Sequence, residues 1–263
     1  MIKICATCGT SFAESSASLQ NCKICEDERQ WVPASGQAWT DFPSLVASHS
    51  NKWQQLEANL FSIKTVPTFA IGQRALLLCT PCGNILWDCI ANLDAATVTL
   101  IHALGGISAI AISHPHYYTT MQDWAAEFNA PVYLHHDDRK WVMRDSTYIR
   151  FWQGEILRLN GSVDVVRLGG HFVGGSVLHW KVNDGVLLTG DIIQIAPGQD
   201  AVSFMWSYPN MLPLPAATVA DILSRCARLK FSTMYGAFEQ QDILSAASEI
   251  VARSGERYLR CLT

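Results

Sequence analysis

The sequence predicts an α/β fold preceded by a small cysteine-rich module. Residues 106–138 follow the order strand, loop, helix and strand, with polar side chains at the strand ends. Folds of the α/β class build their sites at such strand ends. From residue 155 onward, short apolar segments separated by turns predict further strands. Four cysteines lie before residue 26, and we therefore divide the chain into a module at 1–40 and a main domain at 41–263.

Composition and charge narrow the class of protein. The chain has 263 residues, of which 49% are hydrophobic and 16% charged, as expected for a globular protein. The formal net charge of −4 does not favour nucleic acid as a partner. No apolar run is long enough to span a bilayer, and the N-terminus lacks the apolar core of a signal peptide. We therefore expect a cytoplasmic protein that acts on a small molecule away from membranes, and a homodimer is compatible with the sequence.

The N-terminal module is predicted from two C-x2-C pairs, Cys5 with Cys8 and Cys22 with Cys25. Each pair brings two thiolates to one side of a tight turn, and two pairs complete the closed tetrahedral site of a structural zinc ion, which predicts a zinc-ribbon-like module. Reduced cysteines without metal, or a redox pair, are the alternatives. Residues 1–30 carry three basic and four acidic side chains, which favours a structural or partner-docking role over phosphate binding.

Between the module and residue 106, the sequence contains one helix with clear signals at both ends. Asp94 is a suitable N-cap for a helix over Ala95–Leu104, and glycines end that helix. The preceding residues are less regular. We interpret Lys52–Leu60 as a helix and Phe69–Ile71 as a short strand.

His114 and His116 follow a short apolar run, residues 106–112, that predicts a buried strand. Side chains at positions i and i+2 of an extended chain point the same way, so both imidazoles can reach one metal ion. For this pair alone, ordinary polar loop histidines are an equal alternative.

Two further candidate ligands come at strand ends in the second half. His171 follows a strand and stands between the glycine pairs 169–170 and 174–175, whereas Asp191 ends an apolar strand over residues 187–190. Three neutral imidazoles and a water form a catalytic zinc site with an open position. Asp191 could be a fourth ligand or could hold the water.

The order H-x-H, then G-H followed by glycines, then T-G-D resembles the metallo-β-lactamase fold superfamily. The resemblance implies a four-layer αββα sandwich with two central mixed sheets and a metal site at one edge. It also implies hydrolysis, which in this superfamily is usually of lactams, thioesters, lactones or phosphodiesters. The ligands that it implies for the first metal are His114, His116 and His171, with Asp191 as the would-be bridge to a second.

The chain departs from the family pattern H-x-H-x-D-H. Tyr118 stands at the aspartate position and Thr119 at the position of the last histidine. The family's late histidine is also missing, because no histidine follows His179. We therefore expect one metal ion in the core site, unless residues 135–138 supply a second set of ligands.

The resemblance implies a zinc-bound hydroxide that attacks a carbonyl carbon, and three residues are candidates to assist it. Asp191 would orient the water or accept its proton. Tyr118 could donate a hydrogen bond to the developing oxyanion, or be a wall of the site. Asp138 is a candidate auxiliary acid or base, with the N-cap of a helix over Arg139–Met143 as the alternative.

Three functions stay open at this point. The first is a hydrolase with one catalytic zinc, acting on an ester, thioester, lactone or lactam. The second is a mononuclear iron(II) oxygenase of the persulfide dioxygenase type, with two histidines and Asp191 as ligands. The third is a non-catalytic metal-binding protein. In each case we expect substitution of Cys5 or Cys22 to remove the structural zinc and to spare the core metal.

Overall fold

The computed structural model describes residues 2–13 and 20–262, which belong to two compact units. The first unit consists of Met1–Leu134 and Arg139–Phe151, and the second of His135–Asp138 and Trp152–Thr263. Among the described residues, no helix is both long and apolar enough to cross a membrane.

A small three-stranded sheet begins the first unit. Its strands are β1 (Lys3–Cys5), β2 (Ser11–Phe12) and β3 (Trp39–Thr40), paired antiparallel in the order β2-β1-β3. Gly9, in the turn between β1 and β2, has a φ of +79°, a conformation that glycine adopts without steric cost. The predicted end of the module, residue 40, coincides with the end of β3, and the division into two domains stays a prediction.

The main element of the first unit is a seven-stranded sheet in the order β10-β9-β8-β7-β6-β5-β4. Helix α1 (Phe42–Ser48) precedes it. The strands and connecting helices are β4 (Ser50–Glu57), β5 (Leu60–Val66), β6 (Arg74–Leu78), β7 (Ile85–Trp87), α2 (Ala95–Ala103), β8 (Ala109–Ala111), α3 (Met121–Phe128), β9 (Val132–His135) and β10 (Ile149–Trp152). Strands β7, β8 and β9 are parallel, so their carboxyl ends meet at one edge of the sheet.

Helix α2 confirms its predicted start, because the Asp94 carboxylate accepts a hydrogen bond from Thr97 N at 2.7 Å. The helix expected over Lys52–Leu60 is wrong. These residues lie mostly in β4, which pairs with β5 from Ser50 opposite Val66 to Glu57 opposite Leu60. Residues 52–57 adopt a strand because they pair with β5, which the local sequence does not reveal. Pairing in a sheet overrides a weak local preference for helix. The strand expected over Phe69–Ile71 is also wrong, since a turn closes there with a bond from Gly72 N to Phe69 O at 3.1 Å.

The second unit contains a six-stranded sheet in the order β11-β12-β13-β14-β19-β20, in which only the β14–β19 pair is parallel. Its elements are β11 (Ile156–Arg158), β12 (Val163–Arg167), β13 (Ser176–Trp180), β14 (Val186–Gly190), β15 (Gln194–Ile195), β16 (Val202–Ser203), β17 (Met205–Ser207), β18 (Leu212–Pro213), α4 (Ala216–Cys226), β19 (Thr233–Gly236), β20 (Asp242–Ile243) and α5 (Ala247–Cys261). Strands β15 and β16 form one two-stranded sheet, and β17 and β18 another. Val219 and Ile222 of α4 and Val251 of α5 pack with Leu187 and Met234 of the large sheet in one buried cluster.

Candidate metal centres

The four cysteines of the module come together as the sequence predicts. Their thiol sulfurs lie within 4.8 Å of one another, and all four residues are buried. The Sγ atoms of Cys5 and Cys25 are 3.6 Å apart, as are those of Cys8 and Cys22. A disulfide requires about 2 Å, whereas four thiolates on one zinc ion lie about 3.8 Å apart for a Zn–S bond of about 2.3 Å. The residues therefore fit a tetrahedral metal ion.

The surroundings of the cysteines hold them in place. Gly9 N donates to Cys5 O at 2.8 Å and Glu26 N donates to Cys22 O at 3.0 Å, which closes one turn around each pair. The side-chain amide of Gln37 donates to Cys5 Sγ at 3.1 Å. Burial raises the pKa of the Cys8 thiol, whereas hydrogen bonds from neighbouring thiols, above all Cys22, lower the pKa of Cys5. Zinc binds cysteines as thiolates, so a zinc ion in this cluster would displace the thiol protons.

The H-x-H loop is positioned at the edge where β7 and β8 end. Asp88 follows β7, and its Oδ1 accepts a hydrogen bond from Ser113 N at 2.7 Å. Ser113 Oγ in turn lies 2.9 Å from His114 Nδ1. Because Nδ1 is engaged, the buried Nε2 atom is the ring nitrogen of His114 suited to a metal.

His116 lies beside His114, but the backbone between them is not extended as expected. His114 is extended, with φ −169° and ψ 170°, whereas Pro115–Tyr117 form a 3-10 turn. The two imidazole centroids are nevertheless 5.1 Å apart, with ring planes at 76°. Two imidazoles on one tetrahedral metal ion have centroids about 5 Å apart, given metal–nitrogen bonds of about 2.0–2.1 Å. The pair therefore fits a shared ion, although a turn and not an extended strand brings the rings together.

His171 is held by the glycine-rich loop after β12 in the second unit. Gly169 and Gly170 have φ values of +75° and +83°, and a Cβ at Gly175 would lie 2.8 Å from Gly169 O. His171 Nδ1 lies 2.8 Å from Trp206 O and 3.2 Å from Met205 O. A carbonyl oxygen only accepts hydrogen bonds, so Nδ1 carries the proton and Nε2 has the lone pair that a metal requires.

Asp191 follows β14, also in the second unit, and is buried. The T-G-D turn is closed by Thr189, whose hydroxyl donates to Ile193 O at 3.0 Å. The Tyr208 hydroxyl donates to the backbone oxygen of Asp191 at 2.8 Å. Burial, and then the negative charge of Asp191, raise the pKa of Tyr208 well above its usual value, so this hydroxyl remains a donor.

The other two candidate catalytic residues are both buried. Tyr118 ends the 3-10 turn after His116, and its backbone N donates to Pro115 O at 3.2 Å. Asp138 lies inside a second 3-10 segment, His136–Trp141, and not ahead of a helix. Its Oδ1 accepts a hydrogen bond from Gly174 N at 3.0 Å, so it stabilises the loop that carries His171. Their catalytic roles stay predictions.

Two residues near the histidines escaped the sequence analysis. Asp88 had a recognisable signal, because it ends the apolar strand β7 in the same way that Asp191 ends β14. Gln30 had none. It lies in the cysteine module, and its Nε2 is 3.2 Å from His116 Nδ1 in the folded chain.

Comparison with known proteins identifies a relative that spans nearly the whole chain. The chain is 48% identical over 264 residues to the protein described as "Uncharacterized protein YmaE" of Bacillus subtilis (strain 168), covering 98% of this chain and 96% of the relative. It belongs to the same family as YmaE. No protein-family model matches the sequence.

Solved structures of known fold also match this chain. The DIM-1 metallo-beta-lactamase matches with a TM-score of 0.58 and 15% identity over 79% of this chain and 98% of that chain. The metallo-beta-lactamase SMB-1, in a complex with mercaptoacetic acid, matches with a TM-score of 0.55 and 16% identity over 81% of this chain and 96% of that chain. The predicted α/β fold of the metallo-β-lactamase type is therefore confirmed. At this level of identity, the likeness is one of fold.

Proposed function

We propose that the protein is a metal-dependent hydrolase with one catalytic zinc ion. Its proposed ligands are the four residues that the resemblance to the metallo-β-lactamase pattern implies: His114, His116, His171 and Asp191. The observation that carries the proposal is the buried imidazole pair of His114 and His116, whose spacing of 5.1 Å suits a shared ion. The protonated Nδ1 of His171 and the family-like order of the four residues along the chain support it.

A zinc ion on these residues would lower the pKa of a bound water to about 7 and polarise a substrate carbonyl. The carboxylate of Asp191 would orient that water and accept its proton. The Tyr118 hydroxyl would donate a hydrogen bond to the oxygen that becomes negative during the reaction. Asp138 would serve as an auxiliary acid or base. Esters, thioesters, lactones and lactams share the polarised carbonyl that this arrangement suits.

One ion, not two, is part of the proposal. In the metallo-β-lactamase pattern the second ion needs an aspartate and a histidine where this chain has Tyr118 and Thr119. The backbone oxygen of Thr119 accepts hydrogen bonds from Ser11 N at 2.9 Å and Ser11 Oγ at 2.8 Å, which fastens the loop to the module.

The test counts metals in protein purified without chelators and assays a panel of the four carbonyl substrates. We expect two zinc ions per wild-type chain, and one in His116→Ala with activity at least about 100-fold lower. His49→Ala is the matched control, since His49 lies next to α1 and bonds Ser48 Oγ at 2.9 Å. One zinc and one iron in the wild type would point instead to oxygen chemistry. A folded His116→Ala protein with full activity would refute a catalytic metal.

A further inference from the structure

Gln30 belongs to a rigid part of the cysteine module. It follows the second cysteine pair, the residue is 6% exposed, and its backbone N donates to Asp27 O at 2.9 Å. Arg29 next to it donates to the Asp27 carboxylate at 2.6 Å and stacks on the Trp141 ring, with 5.3 Å from Cζ to the ring centroid. Trp141 in turn packs against the cysteine cluster. The position of Gln30 is therefore determined by the fold of the module.

This fixed side chain contacts a proposed metal ligand. Gln30 Nε2 lies 3.2 Å from His116 Nδ1, in a buried contact between residues 86 positions apart. The two hydrogen bonds from Ser11 of β2 to Thr119 O fasten the same loop to the module. Both contacts lie within the first unit.

We propose that Gln30 is a positioning residue for His116, through which the cysteine module aligns the H-x-H loop for metal binding. The inference deepens the proposed function and rests on it, because it takes His116 as a metal ligand. Partners of the second ring nitrogen set the orientation and tautomer of a ligating histidine. Gln30 performs for His116 what Ser113 performs for His114.

An amide suits this task because it offers both a donor and an acceptor. Its NH2 group donates to an Nδ1 lone pair, and its oxygen accepts from an Nδ1–H group. The tautomer that binds metal through Nε2 carries its proton on Nδ1. With that tautomer, the amide oxygen Oε1 is the atom of Gln30 that would accept the hydrogen bond from Nδ1–H.

The same contact changes the expectation that the two metal sites are independent. The module is closed by its four cysteines, and a metal on them orders the segment that ends in Gln30. Loss of that metal releases Gln30 and, with it, the orientation of His116. The structural site therefore acts on the core site, whereas His116 itself is not needed to close the cysteine cluster.

The test compares full-length wild type with Gln30→Ala and Gln30→Glu by zinc competition titration. We expect Gln30→Ala to weaken the core site 10- to 100-fold while the cysteine zinc is retained. Gln30→Glu should stay close to wild type, because a carboxylate accepts a hydrogen bond from Nδ1–H. Gln54→Ala, at an exposed position of β4, should change neither site. Gln37→Ala should weaken the cysteine site and leave the core site unchanged for as long as the cysteine zinc is bound.

A second readout does not depend on zinc in the core site. In protein whose core metal is removed with a mild chelator, nitrogen NMR of labelled histidine should show one tautomer for His116, and a mixture in Gln30→Ala. Wild-type affinity together with an unchanged tautomer in Gln30→Ala would overturn the positioning role, as would weakening that occurs only with loss of the cysteine zinc. Absence of core zinc from the wild type would refute the proposed function instead, and the NMR result would still decide on Gln30.

Discussion

The cysteine cluster and the H-x-H loop lie in the same unit but are built in opposite ways. The cysteines come in two pairs close in sequence, and their turns are closed by local bonds such as Gly9 N to Cys5 O at 2.8 Å. The histidines are oriented by residues far away in the chain, Asp88 through Ser113 and Gln30 across the module. The cysteine site is held by residues close to it in sequence, whereas the histidine pair is held by residues distant in sequence.

This difference predicts which substitutions affect both sites. A substitution in the cysteine cluster should also weaken metal binding at the histidines, through Gln30 and Ser11. Substitution of the histidines should leave the cysteine cluster intact, because the contacts among the thiols and from Gln37 that close this cluster come from the module itself. This asymmetry can be measured by counting zinc ions and by unfolding experiments on the same set of variants.

The largest effect is expected from Cys22→Ser. It removes one of four ligands, so the structural zinc is lost, and the free energy of unfolding should fall by about 4 kcal/mol or more. The affinity of the core site should fall with it. Calorimetric unfolding and zinc content are the measurements, and Cys82→Ser, at an exposed position, is the control. Full core affinity in Cys22→Ser would show the sites to be independent.

Asp88→Ala should have the next largest effect. It leaves the buried Ser113 N without its charged acceptor, which costs about 1.5–3 kcal/mol, and weakens the core site about tenfold. Asp88→Asn keeps an acceptor oxygen and suits the φ of +60° at this position, so it should recover most of both losses. Urea denaturation and zinc titration measure them. Equal losses in both variants would mean that charge, not the hydrogen bond to Ser113, matters.

The last prediction distinguishes the two sites by their pH dependence. Burial raises the pKa of the Cys8 thiol, so a proton competes with zinc at this cysteine already above pH 7. Zinc affinity of the cysteine site should fall by up to about tenfold as the pH decreases from 8 to 7, because one proton returns to Cys8. Ordinary histidines compete only as the pH falls through about 6.5. Titrations at pH 8, 7 and 6 test this, and parallel weakening of both sites between pH 8 and 7 would contradict it.

The sequence predicts the ligands better than the means by which they are held. Cys5, Cys8, Cys22 and Cys25 could be found from spacing alone, because their site forms from two local turns. The α/β fold could be recognised from strand ends that carry His114, His171 and Asp191. Lys52–Leu60 was misread because its conformation depends on pairing with β5. Gln30 could not be found, since nothing in its surrounding sequence indicates a contact with a histidine 86 residues away.

We propose that this chain holds one structural metal on four cysteines and one catalytic metal on the H-x-H histidines. A crystal structure with anomalous scattering recorded at the zinc and iron edges tests it most directly. We expect one zinc peak among the four cysteine sulfurs and a single zinc peak at His114 and His116. A core position without a peak, with two peaks or with an iron signal would contradict it.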